Sequence, residues 1–482
     1  MRTKTLAFIC IVLIGTGVAF GKYSGGTGDA NNPYRIETAE DLNDIGNHVE
    51  DFDKCFVMVA DINLAAYTGD QFNIIGDGGN PFAGVFDGNS HTIANFRYTT
   101  TGISNIGLFG VVSGTDAEIK NLRLIDPNIE AGTGFFTGAV IGYVDEGRVE
   151  NCHIEGGNIS GNQDVGGLLG LNIAAYISDC SFQGTVSGGD EVGGLIGFNK
   201  GIISNCTSFC TVSGEQLIGG LVGGSEAGEM HNCASSGSVT GTVFGAGGLA
   251  GYDWTWFGGG ITTNCHSSVN VTGEDSVGGL IGSAWNIMSN CRATGNVVGI
   301  ESVGGLAGTG DGTISECFAT GSVEGDYKVG GLVGWSWPDF DGISDCYARG
   351  DVSGNKSVGG LIGRNQSETP QRSYSTSNVT GTTYVGGLIG QNDVGAPSCF
   401  WDVNTSGQAT SAGGTGKTTA EMMSESMFTD AGWDFVEVWD IGENQTYPFL
   451  KTHPAGDLNH DDKVNWLDLA ILAGHWLDWA GE

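Results

Sequence analysis

The chain has 482 residues, among them 86 glycines and 8 prolines, and 55 acidic against 19 basic side chains give a formal net charge of -36. So many glycines without a three-residue repeat exclude a collagen-type fold and indicate tight turns or close backbone packing. The charge excludes nucleic acid and anionic polysaccharide as bulk electrostatic partners, because both require a basic face, whereas Ca²⁺ is compatible with it.

The first 21 residues have the features of a secretory signal peptide. Two basic residues precede an apolar run over residues 6–18, and Ala19 and Gly21 stand at the two positions that a signal peptidase reads. The run is too short for a membrane-spanning helix, which needs about 20 apolar residues. We therefore expect a secreted or cell-surface protein whose mature chain has no transmembrane segment.

Residues 22–130 are predicted to form an N-terminal capping helix and the opening rungs of a β-solenoid. Thr38 is a helix N-cap residue, and Leu42, Ile45 and Val49 follow at helical spacing. Strand-like segments come next. The stretch 82–93, with an Asp-Gly turn between two apolar strands, resembles the opening rungs of right-handed parallel β-helix proteins.

A glycine box of the form Gly-Gly-Leu-x-Gly returns nine times over residues 131–402. The steps between successive box leucines are 26 to 31 residues long, which is a period typical of a solenoid. The box leucines are Leu168, Leu195, Leu221, Leu249, Leu280, Leu306, Leu332, Leu361 and Leu388.

Each period also carries a Val-Ser/Thr-Gly type of turn signal and, in eight cases, a cysteine after a polar residue. These three anchor points predict three short strands per period. Equivalent residues of stacked parallel strands repeat about every 4.8 Å and point the same way, a geometry that does not suit a disulfide. We expect a buried, reduced ladder of Cys152, Cys180, Cys206, Cys233, Cys265, Cys291, Cys317 and Cys346.

The nine boxes resemble the GLUG-motif repeat family of bacterial surface and secreted proteins. The resemblance implies an all-β fold, a right-handed parallel β-helix or β-solenoid of about 12 rungs with N- and C-terminal caps, and a link with adhesion. It implies no catalytic residues. The acidic residues that precede the boxes are expected to form a solvated edge; they are Asp164, Asp190, Glu191, Glu215, Glu274, Asp275, Glu301 and Asp326.

Tryptophans cluster in two inserted segments of the repeat region and at one equivalent site between them. Trp254, Trp285 and Trp337 each stand five residues after a box leucine, so that stacking should bring them onto one side of the solenoid. Such a stripe could bind sugar rings or a protein partner, or it could shield glycine-rich backbone. The candidate stripe comprises Trp254, Trp256, Trp285, Trp335 and Trp337.

Residues 403–454 are predicted to cap the solenoid, and residues 455–482 to form a small helical module with a calcium loop. Oxygen ligands stand at the positions that a twelve-residue Ca²⁺ loop requires. The loop resembles half of a type I dockerin, which implies a cohesin-like partner. Position 6 lacks the usual glycine, and a complete dockerin has two loops. The candidate ligands are Asp457, Asn459, Asp461, Lys463 (through its carbonyl), Asn465 and Asp468.

Two functions fit the sequence. The first is an exported, non-catalytic repeat scaffold that attaches to a polysaccharide or an extracellular protein and is tethered by a calcium-dependent tail. The alternative is a secreted parallel β-helix lyase or glycoside hydrolase. An enzyme of that kind needs acidic or basic groups that converge on adjacent rungs, and no cluster in the sequence breaks the repeat in that way.

Overall fold

A computed structural model describes residues 22–255, 260–338, 342–366 and 368–451. These residues form a parallel β-solenoid of about 13 turns, against the predicted 12. Within them, all the strand ladders of the solenoid are parallel, and the only antiparallel ladder joins Trp439–Asp440 to Phe449–Leu450. The parallel ladders run from Tyr34 to Lys417.

Three parallel sheets form the sides of the solenoid. The first sheet contains Tyr34–Ile36, Cys55–Met58, Val85–Asp87, Glu118–Lys120, Arg148–Glu150, Tyr176–Ser178, Ile202–Ser204, Glu229–His231, Ile261–Thr263, Ile287–Ser289, Thr313–Ser315 and Gly342–Ser344. The third sheet contains Phe109–Val112, Ile141–Val144, Leu169–Asn172, Ile196–Asn199, Val222–Glu226, Ala250–Trp254, Ile281–Ala284, Ala307–Gly310, Val333–Ser336, Ile362–Asn365 and Ile389–Asn392.

The second sheet is the largest, because each coil contributes up to three short strands to it. It contains Ile62–Asn63, Thr92–Ala94, Arg97–Thr99, Arg123–Ile125, Asn128–Glu130, Phe135–Thr137, His153–Ser160, Gln163–Gly166, Ser181–Ser187, Asp190–Gly193, Thr207–Gly219, Ala234–Gly247, His266–Ser267, Asn270–Thr272, Asp275–Gly278, Arg292–Ala293, Val297–Val298, Glu301–Gly304, Phe318–Ala319, Val323–Glu324, Tyr327–Gly330, Tyr347–Ala348, Val352–Ser353, Lys356–Gly359, Tyr374–Ser375, Val379–Thr380, Thr383–Gly386, Phe400–Asp402 and Thr415–Lys417.

A regular coil therefore has five short strands rather than the predicted three. In one such coil the strands are Ile281–Ala284, Ile287–Ser289, Arg292–Ala293, Val297–Val298 and Glu301–Gly304. The third sheet begins directly after each box leucine, and the Val-Ser/Thr-Gly signal marks the middle strand of the second sheet. The cysteine anchor is a corner between two strands, because the polar residue before it adopts a positive φ, as in Asn290 at 52°.

The box leucines and the apolar residues that follow them fill the solenoid interior, as predicted. Leu195 and Ile196 have no exposed surface, and the same holds for their equivalents in the next coils. No single coil can enclose such side chains, so the core forms only when coils stack. One continuous apolar cluster accordingly extends from Ile36 to Trp401.

The eight predicted cysteines form a buried ladder, one in each coil, and all the described cysteines are free thiols. The Sγ of Cys291 accepts a hydrogen bond from the backbone N–H of Cys265 at 3.4 Å, and Cys317 repeats this contact toward Cys291. Ser373 takes the cysteine position in the coil after Cys346, where its Oγ accepts the same bond at 3.1 Å. The thiols therefore pack as small groups in the core, and they also accept hydrogen bonds from backbone N–H groups at the corners of the coils.

We expect these thiols to be unreactive in the folded protein. Burial raises the pKa of Cys291 and of Cys317 well above the ordinary range, which removes the reactive thiolate. Cys55 is only half-buried. A short pulse of a soluble thiol reagent, followed by mass spectrometry, should label Cys55 first and the ladder only after denaturation. Fast labelling of the ladder in the native protein would contradict this structure.

The three glycines of the box are required by close packing rather than by positive φ. None of Gly193, Gly194 and Gly197 has a positive φ; the residue with that geometry is Glu191, at 55°. A Cβ on Gly197 would lie 2.5 Å from the backbone nitrogen of Val165 in the neighbouring coil. The backbones of successive coils therefore touch at this corner, and a side chain has no room there.

The N-terminal helix spans Ala39–Ile45, shorter than predicted. Thr38 caps it, and Asp41 completes a capping box. Leu42 and Ile45 enter the solenoid core, whereas the predicted helical residue Val49 lies in the short 3-10 helix Val49–Asp51 and is 52% exposed. The chain turns after Ile45, so the helical periodicity does not reach Val49.

The C-terminal segment packs against the side of the last coils. Its helical parts are Val403–Ser406, Glu421–Met423 and Glu425–Thr429. The outward rings of Tyr347 and Tyr374 stack at 5.3 Å, and Trp439 lies 6.0 Å from Tyr374. These rings belong to a second apolar cluster, separate from the solenoid core. The C-terminal segment therefore covers a lateral face of the last coils.

Candidate ligand-binding face

The third residue after each box leucine lies on the outer face of the third sheet. Strand register aligns these residues in one line, here called the outer column, and the residue after each of them faces the core. In the coils of interest the outer column reads Leu171, Phe198, Gly224, Tyr252, Ser283, Thr309, Trp335 and Arg364.

Aromatic side chains gather around the middle of the outer column. The ring centroid of Tyr252 lies 6.0 Å from that of Trp254 and 6.4 Å from that of Trp285. Further along the axis, Trp335 and Trp337 are stacked with centroids 4.4 Å apart. We call these five residues and Phe244, whose ring lies 6.3 Å from that of Tyr252, the aromatic cluster.

Polar contacts hold the tryptophan rings in place. The Nε1 of Trp335 donates to Gln366 at 3.0 Å, and the Nε1 of Trp285 donates to Ser283 at 3.0 Å. Lys328 places its Nζ 3.5 Å from the ring centroid of Trp335 and pairs with Glu301 at 2.7 Å. A buried cation over an indole face is a favourable contact. The rings are therefore preorganised, which lowers the entropic cost of binding a ligand.

A cavity of about 250 Å³ opens within the aromatic cluster. Trp285, Trp335 and Trp337 form its apolar walls, and Ser283 and Thr309 of the outer column also line it. Asp275 and Glu301 contribute carboxylates. The cavity thus combines aromatic surface with a few hydrogen-bonding groups, the composition that is common in small-molecule sites.

The residues that stand two positions before the first glycine of each box form a second line beside the outer column, here called the kink column. Its members have positive φ, for example Ser276 at 55° and Ser302 at 54°, and the strand pairing skips them. The kink turns these side chains back over the third sheet, so that even Lys328 is only 5% exposed. The kink column includes Asp164, Glu191, Leu217, Ser276, Ser302 and Lys328.

Two carboxyl groups of the kink column contact each other. Asp164 is buried and hydrogen-bonded to Glu191, which also accepts from Gln163 Nε2 at 2.8 Å. Burial and the charge of Glu191 raise the pKa of Asp164 to about 9, so Asp164 is protonated at neutral pH. The prediction that these acidic residues form a solvated edge is therefore wrong for Asp164, although Glu215, Glu274 and Asp326 are exposed.

The pair lies at a second cavity of about 470 Å³ on the same face. Phe136 and Phe198 supply aromatic surface there, and Lys200 places its Nζ 5.7 Å from the ring centroid of Phe198. We call this site the phenylalanine pocket.

The structure places the predicted tryptophan stripe as follows. Trp285, Trp335 and Trp337 line one cavity, and Trp254 contacts Tyr252 at its margin. Trp256 lies outside the described residues. The six candidate Ca²⁺ ligands, the dockerin-like module and the signal peptide lie outside them as well. Within the described ranges, no group of three or more His, Cys, Asp or Glu side chains could hold a metal ion.

Sequence reasoning missed Tyr252, Phe244 and Lys328 as members of the site. Tyr252 could have been found, since it stands three residues after a box leucine, as Trp335 does. Lys328 is harder to find, because its position in other coils is held by Ser, Asp, Glu, Leu, Gly or Tyr and its role depends on the positive φ.

The described chain is thus a parallel β-solenoid with an aromatic outer face. Two stretches, residues 214–240 and 273–298, match the family model described as the GLUG motif. The chain therefore carries GLUG repeats, as its glycine boxes predicted. In the described residues no helix is both long enough and apolar enough to cross a membrane.

Two curated relatives align with part of the chain. A "Putative Gly-rich membrane protein" of Evansella cellulosilytica is 35% identical over 211 residues, which cover 35% of this chain and 24% of the relative. "Halomucin" of Haloquadratum walsbyi is 31% identical over 158 residues, which cover 30% of this chain and 2% of the relative. The chain therefore matches only a small part of each relative.

A solved structure titled as a putative immunoglobulin A1 protease from Bacteroides ovatus aligns with 90% of this chain and 96% of its own. The TM-score is 0.38 and the sequence identity is 17%. At this TM-score the alignment carries no argument about fold or function.

Proposed function

We propose that this protein is an exported, non-catalytic repeat scaffold that attaches to neutral glycans through its aromatic cluster. The observation that carries the proposal is the cavity in which Trp285, Trp335 and Trp337 meet beside two carboxylates. Indole faces match the apolar faces of sugar rings, and carboxylates accept hydrogen bonds from sugar hydroxyls. The net charge of -36 favours a neutral glycan over an anionic one.

A location at the cell surface supports an attachment function. The name of one relative describes a membrane protein, and the predicted signal peptide indicates export. A solenoid presents a long, rigid side, so that one chain can display several binding contacts at fixed spacing.

The competing function is a polysaccharide-degrading β-helix enzyme. Asp164 and Glu191 form a carboxyl pair on the binding face, and they are hydrogen-bonded to each other. The two carboxyl groups of a retaining glycosidase stand about 5–5.5 Å apart and those of an inverting one farther, to leave room for the sugar or a water molecule. The geometry of this pair therefore favours the scaffold over the hydrolase.

A glycan array probed with the full mature chain tests the proposed function. We expect binding to neutral polysaccharides, with no sugar products released on prolonged incubation. Release of products from any polysaccharide would refute the non-catalytic assignment, and an array without any signal would refute glycan attachment.

Replacing Trp285 and Trp337 together with alanine should weaken glycan binding by about tenfold or more, because buried aromatic contacts dominate such interfaces. The melting temperature should change little, since Trp337 is 39% exposed and neither ring belongs to the solenoid core. Calorimetric titration and thermal unfolding measure the two effects. A large loss of stability with unchanged affinity would instead show that the rings shield the backbone.

We further propose that the C-terminal tail binds one Ca²⁺ and tethers the scaffold to a cohesin-like partner. Three carboxylates of a short loop repel one another until a cation neutralises them. Calcium titration of the full chain should therefore give one binding event that Asp457→Asn together with Asp468→Asn abolishes. The same heat in the double variant would contradict this site.

A further inference from the structure

The aromatic cluster and the phenylalanine pocket lie on one continuous face. Phe198 and Tyr252 belong to the same outer column and are separated by a single coil, which contributes Gly224. In the kink column, Glu191 of the pocket is followed directly by Leu217, which lines the cavity of the aromatic cluster. No bulky outer-column residue stands between the two sites.

The face along the outer column, here called the trough, has aromatic residues that are separated by small residues. Between Phe198 and Trp335 the column carries Gly224, Tyr252, Ser283 and Thr309. Five coil steps of about 4.8 Å place Phe198 and Trp335 about 24 Å apart along the axis. A single sugar unit cannot span that distance, whereas an extended oligosaccharide can.

Charge limits what can occupy the trough. Asp275 and Glu301 stand at one site, and the Asp164–Glu191 pair stands at the other. Lys328 and Lys200 are the cations beside the two sites, and both are already paired, with Glu301 at 2.7 Å and with Glu226 at 2.5 Å. Among the described residues between Phe198 and Trp335, the trough therefore offers no unpaired lysine to an anionic polymer, and Arg364 lies one coil beyond Trp335.

We propose that the ligand is an extended neutral polysaccharide that lies along the solenoid axis and contacts both the aromatic cluster and the phenylalanine pocket. This inference rests on the proposed function, since it assigns a length and a direction to the glycan bound there. The separation of the two sites sets the length of the oligosaccharide that should bind best.

The test uses calorimetric titration of the full mature chain with cello-, xylo- and manno-oligosaccharides of increasing length, from disaccharide to octasaccharide. In the series that binds, affinity should rise by about tenfold or more once the sugar is long enough to reach both sites. Phe198→Ala should abolish this gain while leaving the affinity for the short members unchanged. Phe209→Ala serves as a matched control, because Phe209 is 59% exposed on the second sheet, away from the trough.

An affinity that is independent of length, or a Phe198→Ala variant that keeps the length dependence, would overturn the inference while the proposed function stands. Absence of binding at every length, in all three series and on the glycan array, would overturn both. Thermal unfolding of Phe198→Ala shows whether its core is intact, since Phe198 lies outside the apolar core.

Discussion

Replacing Gly308 with alanine should destabilise the solenoid more than any surface change, by about 3 kcal/mol, the upper part of the usual range for overpacking. Gly308 is the last glycine of its box. A Cβ there would lie 2.5 Å from the carbonyl carbon of Ser276 and 2.6 Å from the carbonyl oxygen of Gly282. Both obstacles are backbone of a neighbouring coil, so no side-chain rotation relieves the clash.

Gly78→Ala provides the matched control, because nothing lies within 4 Å of a Cβ at that position and its φ is not positive. Urea unfolding of both variants measures the difference in the free energy of unfolding. Equal stability of the two variants would show that the box glycines are not required by contact between coils.

Asp164→Asn should stabilise the protein at neutral and alkaline pH. The pKa of Asp164 is raised to about 9 in the folded state, above its ordinary value in the unfolded chain, because burial and Glu191 disfavour its ionised form. Its contribution to stability is therefore complete below about pH 4 and is lost as the pH rises toward 9. Asparagine cannot ionise and can still donate a hydrogen bond to Glu191, so the variant avoids this loss.

Thermal unfolding between pH 4 and pH 9 measures the effect. The gain in melting temperature should be small at pH 4 and should grow with pH. Glu191 and Lys200 line the same cavity as Asp164, the charge of Asp190 also acts on Asp164, and Asp190 has a raised pKa, owing first to burial and then to Glu191. Glu274→Gln, a change at an exposed acid before another box, should leave the pH profile unchanged. A pH-independent gain in Asp164→Asn would contradict the raised pKa of Asp164.

The period of the glycine boxes was sufficient to predict the coil, the inward leucines and the cysteine ladder. Each of these features depends only on stacking equivalent residues in register, and a repeat of fixed length specifies that register. The number of strands per coil was not predictable in the same way. The corner at Asn290 depends on a positive φ, which asparagine adopts readily but does not require.

The candidate site could be predicted only in part. Equal spacing from the box leucines placed Trp285 and Trp337 on one side, as the structure shows. The burial of Asp164 and the position of Lys328 follow from the kink column, whose positive φ is adopted by Asp, Glu, Ser and Lys alike. The identity of the residue therefore does not predict the positive φ at this position. Trp335 lies in the outer column, two residues before Trp337. Only the structure shows that the two rings stack.

Affinity electrophoresis through native gels that contain the neutral polysaccharide identified on the array tests the binding face most directly. The wild-type chain and Phe209→Ala should be retarded equally, because Phe209 is exposed but lies on another face. The variant with Trp285 and Trp337 replaced by alanine should be retarded much less than the wild-type chain. Equal retardation of all three proteins would show that the aromatic cluster does not bind the glycan.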